Sequence, residues 1–124
     1  MSGLRILIVD DDTEIVSLVD AFLRSLGHKP IPTNGPREAL ALIYAAGGVD
    51  LVLTDCVMPG MDGPELAERI REQRPTLPIV FMTSRPDYIA MLEQKNQIVV
   101  VKPFGLEQLK ATIDLAGSQI EAAS

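Results

Sequence analysis

The chain has 124 residues, which is enough for one domain with a single hydrophobic core. Its 17 acidic and 11 basic residues give a formal net charge of −6, which excludes a nucleic-acid surface because phosphate backbones need clustered lysine and arginine. Its apolar stretches are far shorter than the roughly 20 residues that cross a bilayer. Its single cysteine cannot form an internal disulfide, which favours a reducing, cytoplasmic location. We therefore predict one domain over residues 1–124, with its core at about residues 4–121.

The first predicted strand runs directly into a cluster of acids. Residues 6–9 are a short β-branched run, typical of a strand buried on both faces in a parallel sheet, and Asp10, Asp11 and Asp12 follow it. A helix is predicted next, with Asp12 or Thr13 as its N-cap and Gly27 at its end. The apolar residues of this segment recur at the spacing of one buried helix face. They are Ile15, Leu18, Val19, Phe22, Leu23 and Leu26.

The second predicted strand carries two prolines. Pro30 and Pro32 stand two apart within residues 28–33, so both missing amides face the same side, which places this strand at a sheet edge. His28 has no partner acid or second ligand nearby in sequence, and we predict that it lies on the surface. A helix is predicted from about Pro36 to Ala46.

The third predicted strand, residues 49–54, ends at Asp55. A loop over residues 55–62 leads into a third helix, where Asp62 and Glu65 have the spacing of a capping box and Pro64 suits the first turn. Cys56 follows Asp55 directly, and we interpret it as a small buried hydrophobic residue rather than an oxidation sensor.

Two further strands complete the pattern. Residues 79–82 predict a fourth strand that ends at Thr83 and Ser84, and a short helix is predicted from Pro86 to about Gln94. Residues 97–101 predict a fifth strand, and Lys102 follows it directly. The last predicted helix buries Leu106, Leu109, Ile113, Ala116 and Ile120.

Five strands that alternate with five helices predict an α/β fold of (βα)5 type. We expect a doubly wound parallel sheet between two helical layers, a flavodoxin-like three-layer sandwich with right-handed crossovers. The order 2-1-3-4-5, which is common for such sheets, places the proline-bearing second strand at an edge.

In such a sheet the ligand site lies beyond the carboxyl ends of the strands. Asp10, Asp11 and Asp55 would meet there with Thr83 and Lys102. Carboxylates this close repel one another, so an empty site is destabilising and raises at least one pKa. Mg²⁺ prefers oxygen ligands, and an aspartate can accept a phosphoryl group as an acyl phosphate. The pattern therefore predicts a magnesium site for phosphoryl chemistry.

These segments resemble the motifs of receiver domains, the phosphoacceptor domains of two-component response regulators. The resemblance runs from about Arg5 to Ile120, with the motifs in family order. The chain is similar to a stand-alone receiver of the chemotaxis-regulator kind, which has no output domain. The motifs are Val9-Asp10-Asp11, Asp55 with Met58-Pro59-Gly60-Met61-Asp62-Gly63, Met82-Thr83-Ser84 and Val101-Lys102-Pro103-Phe104. A protein of this family is itself a known example of the 2-1-3-4-5 order, so that expectation is not independent of the resemblance.

The resemblance implies a role for each site residue. Asp55 would be phosphorylated, while Thr83 and Lys102 would contact the phosphoryl group. Asp55 and Asp11 would bind Mg²⁺ directly with the backbone carbonyl of Val57, and Asp10 would act through water. The phosphoryl donor would be a sensor histidine kinase or a histidine phosphotransfer protein, with an unknown downstream protein target. The resemblance thus implies a phosphorelay module and not an enzyme with a separate substrate.

The chain departs from the family pattern between Thr83 and Lys102. Family members usually carry an aromatic ring three residues before the lysine, which rotates inward when the threonine moves, and here the position is Val99. Arg85 stands where the family tunes phosphate lifetime. The segment between the two site residues is also shorter than usual.

Three alternatives remain open. Asp10 and Asp12 have the spacing of phosphohydrolases with an aspartate nucleophile, although Glu14 stands where threonine or valine is needed. A flavin-binding domain of similar fold would need a first loop that cradles phosphate, and the acidic triplet would repel one. A receiver-like scaffold could bind partners without phosphorylation, but all five site residues are present.

Overall fold

A computed structural model of the protein describes residues 3–46 and 48–123. Residues 1, 2, 47 and 124, which the single-domain prediction includes, lie outside the described residues. The strands are β1 (Arg5–Val9), β2 (Lys29–Thr33), β3 (Leu51–Asp55), β4 (Ile79–Thr83) and β5 (Ile98–Val101). The helices are α1 (Thr13–Ser25), α2 (Pro36–Ala46), α3 (Gly63–Gln73), α4 (Pro86–Gln94) and α5 (Leu106–Ala123). Of these helices, none combines the length and apolar character that crossing a bilayer requires.

The five strands form one parallel sheet in the order β2-β1-β3-β4-β5, as predicted. β2 pairs only with β1, in a register that places Pro30 beside Ile6 and Pro32 beside Ile8. The two prolines therefore belong to an edge strand, where their missing amides leave no gap in a central ladder.

The sheet is covered on both faces by helices. Alternate residues of a strand point to opposite faces, so Leu7 and Val9 of β1 join one apolar cluster while Ile6 and Ile8 join the other. The first cluster packs under α2, α3 and α4, and the second under α1 and α5. This confirms the predicted three-layer sandwich.

The β-branched runs of β1, β3 and β5 each predict a strand that is buried on both faces, and this prediction is wrong for β5. β1 and β3 are almost wholly buried, but within β5 only Val100 is buried, and Val101 is 50% exposed. The reason is position, because β5 ends the sheet and pairs with β4 alone. A β-branched run indicates a strand without revealing whether neighbours cover it.

The predicted buried face of α1 also needs a correction. Leu18 is 45% exposed, whereas Val16, which the spacing argument left out, is buried with Val19 and Leu23. Two overlapping apolar stripes fit the sequence of α1, and packing against the sheet selects the one that contains Val16. In α5, Leu109, Ile113 and Ala116 are buried as predicted, whereas Leu106 and Ile120, also predicted as buried, are only half-buried.

Two predicted helix caps are present. Asp12 caps α1, because its Oδ1 accepts from the backbone N–H of Glu14 at 3.0 Å. Asp62 caps α3 in the same way, accepting from the N–H of Glu65 at 2.9 Å. Each cap satisfies a backbone donor that the first helical turn leaves unpaired.

His28 is buried, so its predicted surface position is wrong. The side chain is 6% exposed, and its Nδ1 accepts a hydrogen bond from the backbone N–H of Leu4 at 3.2 Å. This bond ties the entry to β2 to the start of β1 and needs an unprotonated Nδ1. Burial lowers the pKa of His28 below its usual value of 6.5. Sequence reasoning missed the residue because its partner is a backbone amide.

We predict that His28 makes the fold sensitive to mild acid. Because the folded pKa is lowered from 6.5, the unfolded chain takes up the proton first, and stability falls as the pH drops below that value. Between about pH 7.5 and about pH 5.5, the native chain should lose up to about 1 kcal/mol more unfolding free energy than His28→Asn, which keeps an acceptor but cannot titrate. Urea denaturation at the two pH values measures this, and equal losses would contradict it.

Candidate functional site

The predicted site residues converge at the carboxyl edge of the sheet. Asp10 follows β1 and Asp55 ends β3, its neighbour in the sheet. Thr83 ends β4 and Lys102 follows β5, which pair next in order. One carboxylate oxygen each from Asp10, Asp11 and Asp55 lies within 4.8 Å of the others. The structure therefore brings the three acids, the hydroxyl and the ammonium together.

Lys102 lies between two of the acids. Its Nζ donates to Oδ2 of Asp10 at 2.9 Å and lies 3.3 Å from Oδ1 of Asp55. The Asp10 side chain is 1% exposed and that of Asp55 is 13% exposed, so water screens these charges weakly. We call Asp10, Lys102 and Asp55 the ion triad.

The two oxygens of Asp55 have different surroundings. Oδ1 accepts from the backbone N–H of Cys56 at 2.9 Å and faces Lys102. Among the described residues, no hydrogen bond reaches Oδ2. One oxygen is thus held in place by the protein while the other is available for a new bond.

Electrostatics in the triad favour neutralisation of Asp55. Burial raises the pKa of Asp55 above its usual value, and the charge of Asp10 raises it further, while Lys102 opposes both effects. Burial by itself would lower the pKa of Lys102, but the hydrogen bond to Asp10 and the charges of both acids outweigh it, so that pKa is raised. Lys102 therefore stays charged, and the acids retain an excess of negative charge.

Asp11 and Asp12 have separate positions although they are adjacent. Asp11 is exposed and contributes an oxygen to the carboxylate cluster. Asp12 caps α1, and its backbone N–H donates to Oδ1 of Asp10 at 2.9 Å. The second acid of the phosphohydrolase pattern is therefore engaged in a helix cap rather than in the cluster.

Thr83 is buried at the end of β4, with 2% exposure. Its carbonyl accepts from the backbone N–H of Lys102 at 3.0 Å, which ties the ends of β4 and β5 together. Its Oγ1 accepts from the backbone N–H of Arg85 at 3.1 Å. A hydroxyl that accepts one bond can also donate its own proton to a ligand.

Cys56 and Val57 follow Asp55. Cys56 is fully buried, and burial together with the charge of Asp55 raises the pKa of its thiol to about 12, so the predicted packing role is confirmed. The side chain of Val57 is 45% exposed. That its carbonyl binds a metal stays a prediction.

Gly63 is a site residue that sequence reasoning treated only as part of a motif. A Cβ at this position would lie well inside van der Waals contact of the Asp55 carbonyl oxygen, and 3.0 Å from Cα of Cys56. The backbone N–H of Gly63 donates to the carbonyl of Cys56 at 2.9 Å. The start of α3 can therefore approach the backbone of Asp55 only because position 63 has no side chain.

Arg85 and Tyr88 form a second group beside the site. The Arg85 guanidinium pairs with Asp87 at 2.8 Å and lies 5.4 Å from the ring centroid of Tyr88. The Tyr88 hydroxyl donates to Oδ2 of Asp62 at 3.0 Å. The sequence placed Arg85 near the phosphoacceptor but gave no indication that Tyr88 reaches the loop after β3.

The donor set fits a hard divalent cation. Three carboxylate oxygens within 4.8 Å of one another match the oxygen ligands of Mg²⁺. Among the described residues, Lys102 supplies the only ion pairs to Asp10 and Asp55, which leaves the cluster with net negative charge. A divalent cation would relieve this repulsion.

Comparisons with known proteins agree with the resemblance to receiver domains. A family model for the response regulator receiver domain matches residues 6–114. The transcriptional regulatory protein TcrA of Mycobacterium tuberculosis is 34% identical over 116 residues, covering 91% of this chain and 46% of that protein. The chemotaxis response regulator CheY4 of Vibrio cholerae shares 28% identity and a TM-score of 0.82 over 93% of this chain and 99% of that one. TrrA of Thermotoga maritima, solved in complex with Mg²⁺-BeF, is 31% identical with a TM-score of 0.82, covering 91% and 98%. The chain spans about half the length of TcrA.

We predict that Gly63→Ala destabilises the protein by about 2 kcal/mol, because the added methyl group forces α3 away from the backbone of Asp55 and Cys56. Gly117→Ala is the matched control, since it is also helical and its Cβ would make only an ordinary contact, 3.8 Å from Leu4. That variant should keep or gain up to about 1 kcal/mol from helix propensity. Urea denaturation compares the two, and equal effects would contradict the close-approach argument.

We also predict that neutralising Asp55 stabilises the metal-free protein. Because burial and Asp10 raise the folded pKa of Asp55, its charge costs stability at neutral pH, and Asp55→Asn should gain on the order of 1 kcal/mol. Millimolar Mg²⁺ should raise the melting temperature of the native chain and have less effect on Asp55→Asn.

Glu72→Gln is the charge-matched control for this experiment, since Glu72 is an exposed acid of α3. It should leave both the stability and the Mg²⁺ response unchanged. A native melting curve that Mg²⁺ does not shift would count against a metal site at the cluster.

Proposed function

Since the chain belongs to the response regulator receiver domain family, which its residues 6–114 match, we propose that it is a phosphorylation-controlled signalling module of a two-component system. Asp55 accepts a phosphoryl group from a phosphohistidine on a partner protein. The observation that carries the proposal is the ion triad, which holds one Asp55 oxygen and leaves the other without a protein partner among the described residues. Phosphorylation then changes the surface that a downstream protein target binds.

In the proposed transfer, Oδ2 of Asp55 forms a bond to phosphorus while the bond from phosphorus to the donor imidazole nitrogen breaks. The electron pair of the broken bond stays on that nitrogen. Lys102 can stabilise the negative charge of the transferred group, because its ammonium lies 3.3 Å from Asp55 and can bind a phosphoryl oxygen. The Thr83 hydroxyl can donate its proton to another oxygen. Positioning and charge stabilisation of this kind are what phosphoryl transfer requires.

We include Mg²⁺ in the proposal: Asp11 and Asp55 would hold it with the Val57 carbonyl, and Asp10 would act through water. Asp10 suits an indirect role because Asp12 N–H and Lys102 already occupy its oxygens, at 2.9 Å each. When bound, the cation supplies positive charge to the phosphoryl oxygens. TrrA, a structural relative, is described in complex with Mg²⁺-BeF, which supports the same chemistry here.

A groove beside Lys102 supports a protein as phosphoryl donor. It has a volume of about 310 Å³ and is lined largely by the apolar side chains of Ile15, Leu18, Pro103 and Phe104. Leu18 is 45% exposed at this edge, which fits an apolar surface of a partner rather than a small polar donor. We propose a sensor histidine kinase or a histidine phosphotransfer protein as that partner.

The proposal also covers the substrate and the location of the protein. The chain acts on itself and has no separate substrate, although the site would also promote slow loss of its own phosphate. A cytoplasmic location fits the single free, buried Cys56.

The proposal predicts a mass gain of one phosphoryl group after treatment with acetyl phosphate and Mg²⁺. Asp55→Asn should lose the gain completely, because the amide cannot form the acyl phosphate. Asp12→Asn is the matched control, since asparagine also caps helices and Asp12 lies in the α1 cap. Intact-mass spectrometry measures all three proteins.

Two outcomes would favour the alternatives. Absence of any gain in the native chain would favour a scaffold that works without phosphorylation. Turnover of small phosphate esters that Asp10→Asn abolishes and Asp55→Asn leaves intact would favour a phosphohydrolase.

A further inference from the structure

Tyr88 connects α4 to the loop that follows the phosphoacceptor. Its hydroxyl donates to Oδ2 of Asp62 at 3.0 Å, and its half-buried ring packs against the apolar cluster together with Met61 and Met91. A hydrogen bond to a carboxylate is stronger than one between neutral groups. The contact joins two segments that are 26 residues apart in the chain.

The Asp62 end of this contact lies close to Asp55. Oδ1 of Asp62 caps α3 through the N–H of Glu65 at 2.9 Å. The next residue, Gly63, donates its N–H to the carbonyl of Cys56 and packs against the carbonyl of Asp55. A displacement of the Asp55 backbone or of the first turn of α3 therefore changes the position of the Asp62 carboxylate.

The Tyr88 end lies close to Thr83. The N–H of Arg85, at the N-cap of α4, donates to Oγ1 of Thr83 at 3.1 Å. The Arg85 guanidinium lies 5.4 Å from the Tyr88 ring and pairs with Asp87 in the first turn. A displacement of Thr83 therefore moves the start of α4, and Tyr88 with it.

β5 has no aromatic side chain that could respond to a movement of Thr83. The β5 residue that pairs with Thr83 is Val101, and Val99, two residues earlier, pairs with Phe81. Both side chains are short and aliphatic. Tyr88, in the first turn of α4, is an aromatic residue that hydrogen-bonds to the loop after β3.

We propose that the hydrogen bond from Tyr88 to Asp62 is a latch that couples the state of Asp55 and Thr83 to the position of α4. The proposal rests on the proposed function. In the free protein the latch holds α4 and the loop after β3 together. When Thr83 turns its hydroxyl to a phosphoryl group on Asp55, both ends of the latch move. The bond weakens because hydrogen bonds depend steeply on distance and angle.

The chain contains its own spectroscopic probe for the latch. It has two tyrosines and no tryptophan, and Tyr44 is 54% exposed on α2, away from the latch. Tyr44→Phe therefore leaves Tyr88 as the one tyrosine fluorophore. A hydrogen bond to a carboxylate quenches tyrosine emission, so release of the latch is read as a gain in emission.

The first experiment adds Mg²⁺ and beryllofluoride, an acyl-phosphate mimic, to Tyr44→Phe. Emission from Tyr88 should rise on saturation, and Asp55→Asn in the same background should show no change. Emission that stays constant while the mimic is bound would overturn the latch.

The second experiment measures affinity. If the latch stabilises the free state, its removal should tighten the binding of beryllofluoride with Mg²⁺ by about three- to tenfold, the range set by the net contribution of one typical intramolecular hydrogen bond. Tyr88→Phe removes only the hydroxyl, and Tyr44→Phe is the matched control with no expected change. Asp62→Ser keeps a helix cap but loses the reach to Tyr88, so it should behave like Tyr88→Phe.

Two readouts distinguish a latch from a bond that only stabilises the fold. A bond of that kind would lower the melting temperature of Tyr88→Phe and leave the beryllofluoride affinity unchanged, which would overturn the latch. Intact mass after acetyl phosphate, measured on the same proteins, tests the proposed function by itself. Loss of phosphoryl uptake in the native chain would overturn both proposals, whereas uptake with constant Tyr88 emission would overturn the latch alone.

Discussion

The ion triad of Asp10, Lys102 and Asp55 is the interaction on which the rest of the site depends. Two carboxylates and one ammonium meet in a largely buried position, with Nζ to oxygen distances of 2.9 and 3.3 Å. The single positive charge is too little for the acids that surround it, as the raised pKa of Asp55 indicates. This excess of negative charge favours the binding of a cation, and of a phosphoryl group whose charge a cation neutralises.

Such a site persists because neighbouring backbone groups hold it. The N–H of Cys56 fixes one oxygen of Asp55, and the N–H of Asp12 fixes one oxygen of Asp10. Gly63 lets the start of α3 close over the Asp55 backbone. These contacts come from rigid strand ends and helix starts rather than from long loops, so the carboxylates keep their spacing in spite of their repulsion.

The same backbone contacts connect the site to its surroundings. Thr83 is bonded to the strand beside it and to the first turn of α4, while Asp62 belongs to the helix that packs on Asp55. A charge added at Asp55 would therefore be felt by two helices through short hydrogen bonds. Through these bonds, a change of charge on one Asp55 oxygen can alter the positions of helices at the outer surface.

Much of this protein is determined by local sequence. The β-branched runs, the turn residues and the caps at Asp12 and Asp62 determine five strands and five helices, because each depends on neighbours within a few residues. The acids and the lysine at strand ends determine the location of the site, because parallel strands share one carboxyl edge. Tertiary packing alone decided that His28 is buried on a backbone amide, that Val16 rather than Leu18 faces the sheet, and that Tyr88 reaches Asp62. Each of these contacts joins segments whose distance depends on how the layers pack, and spacing along the chain carries no information about that distance.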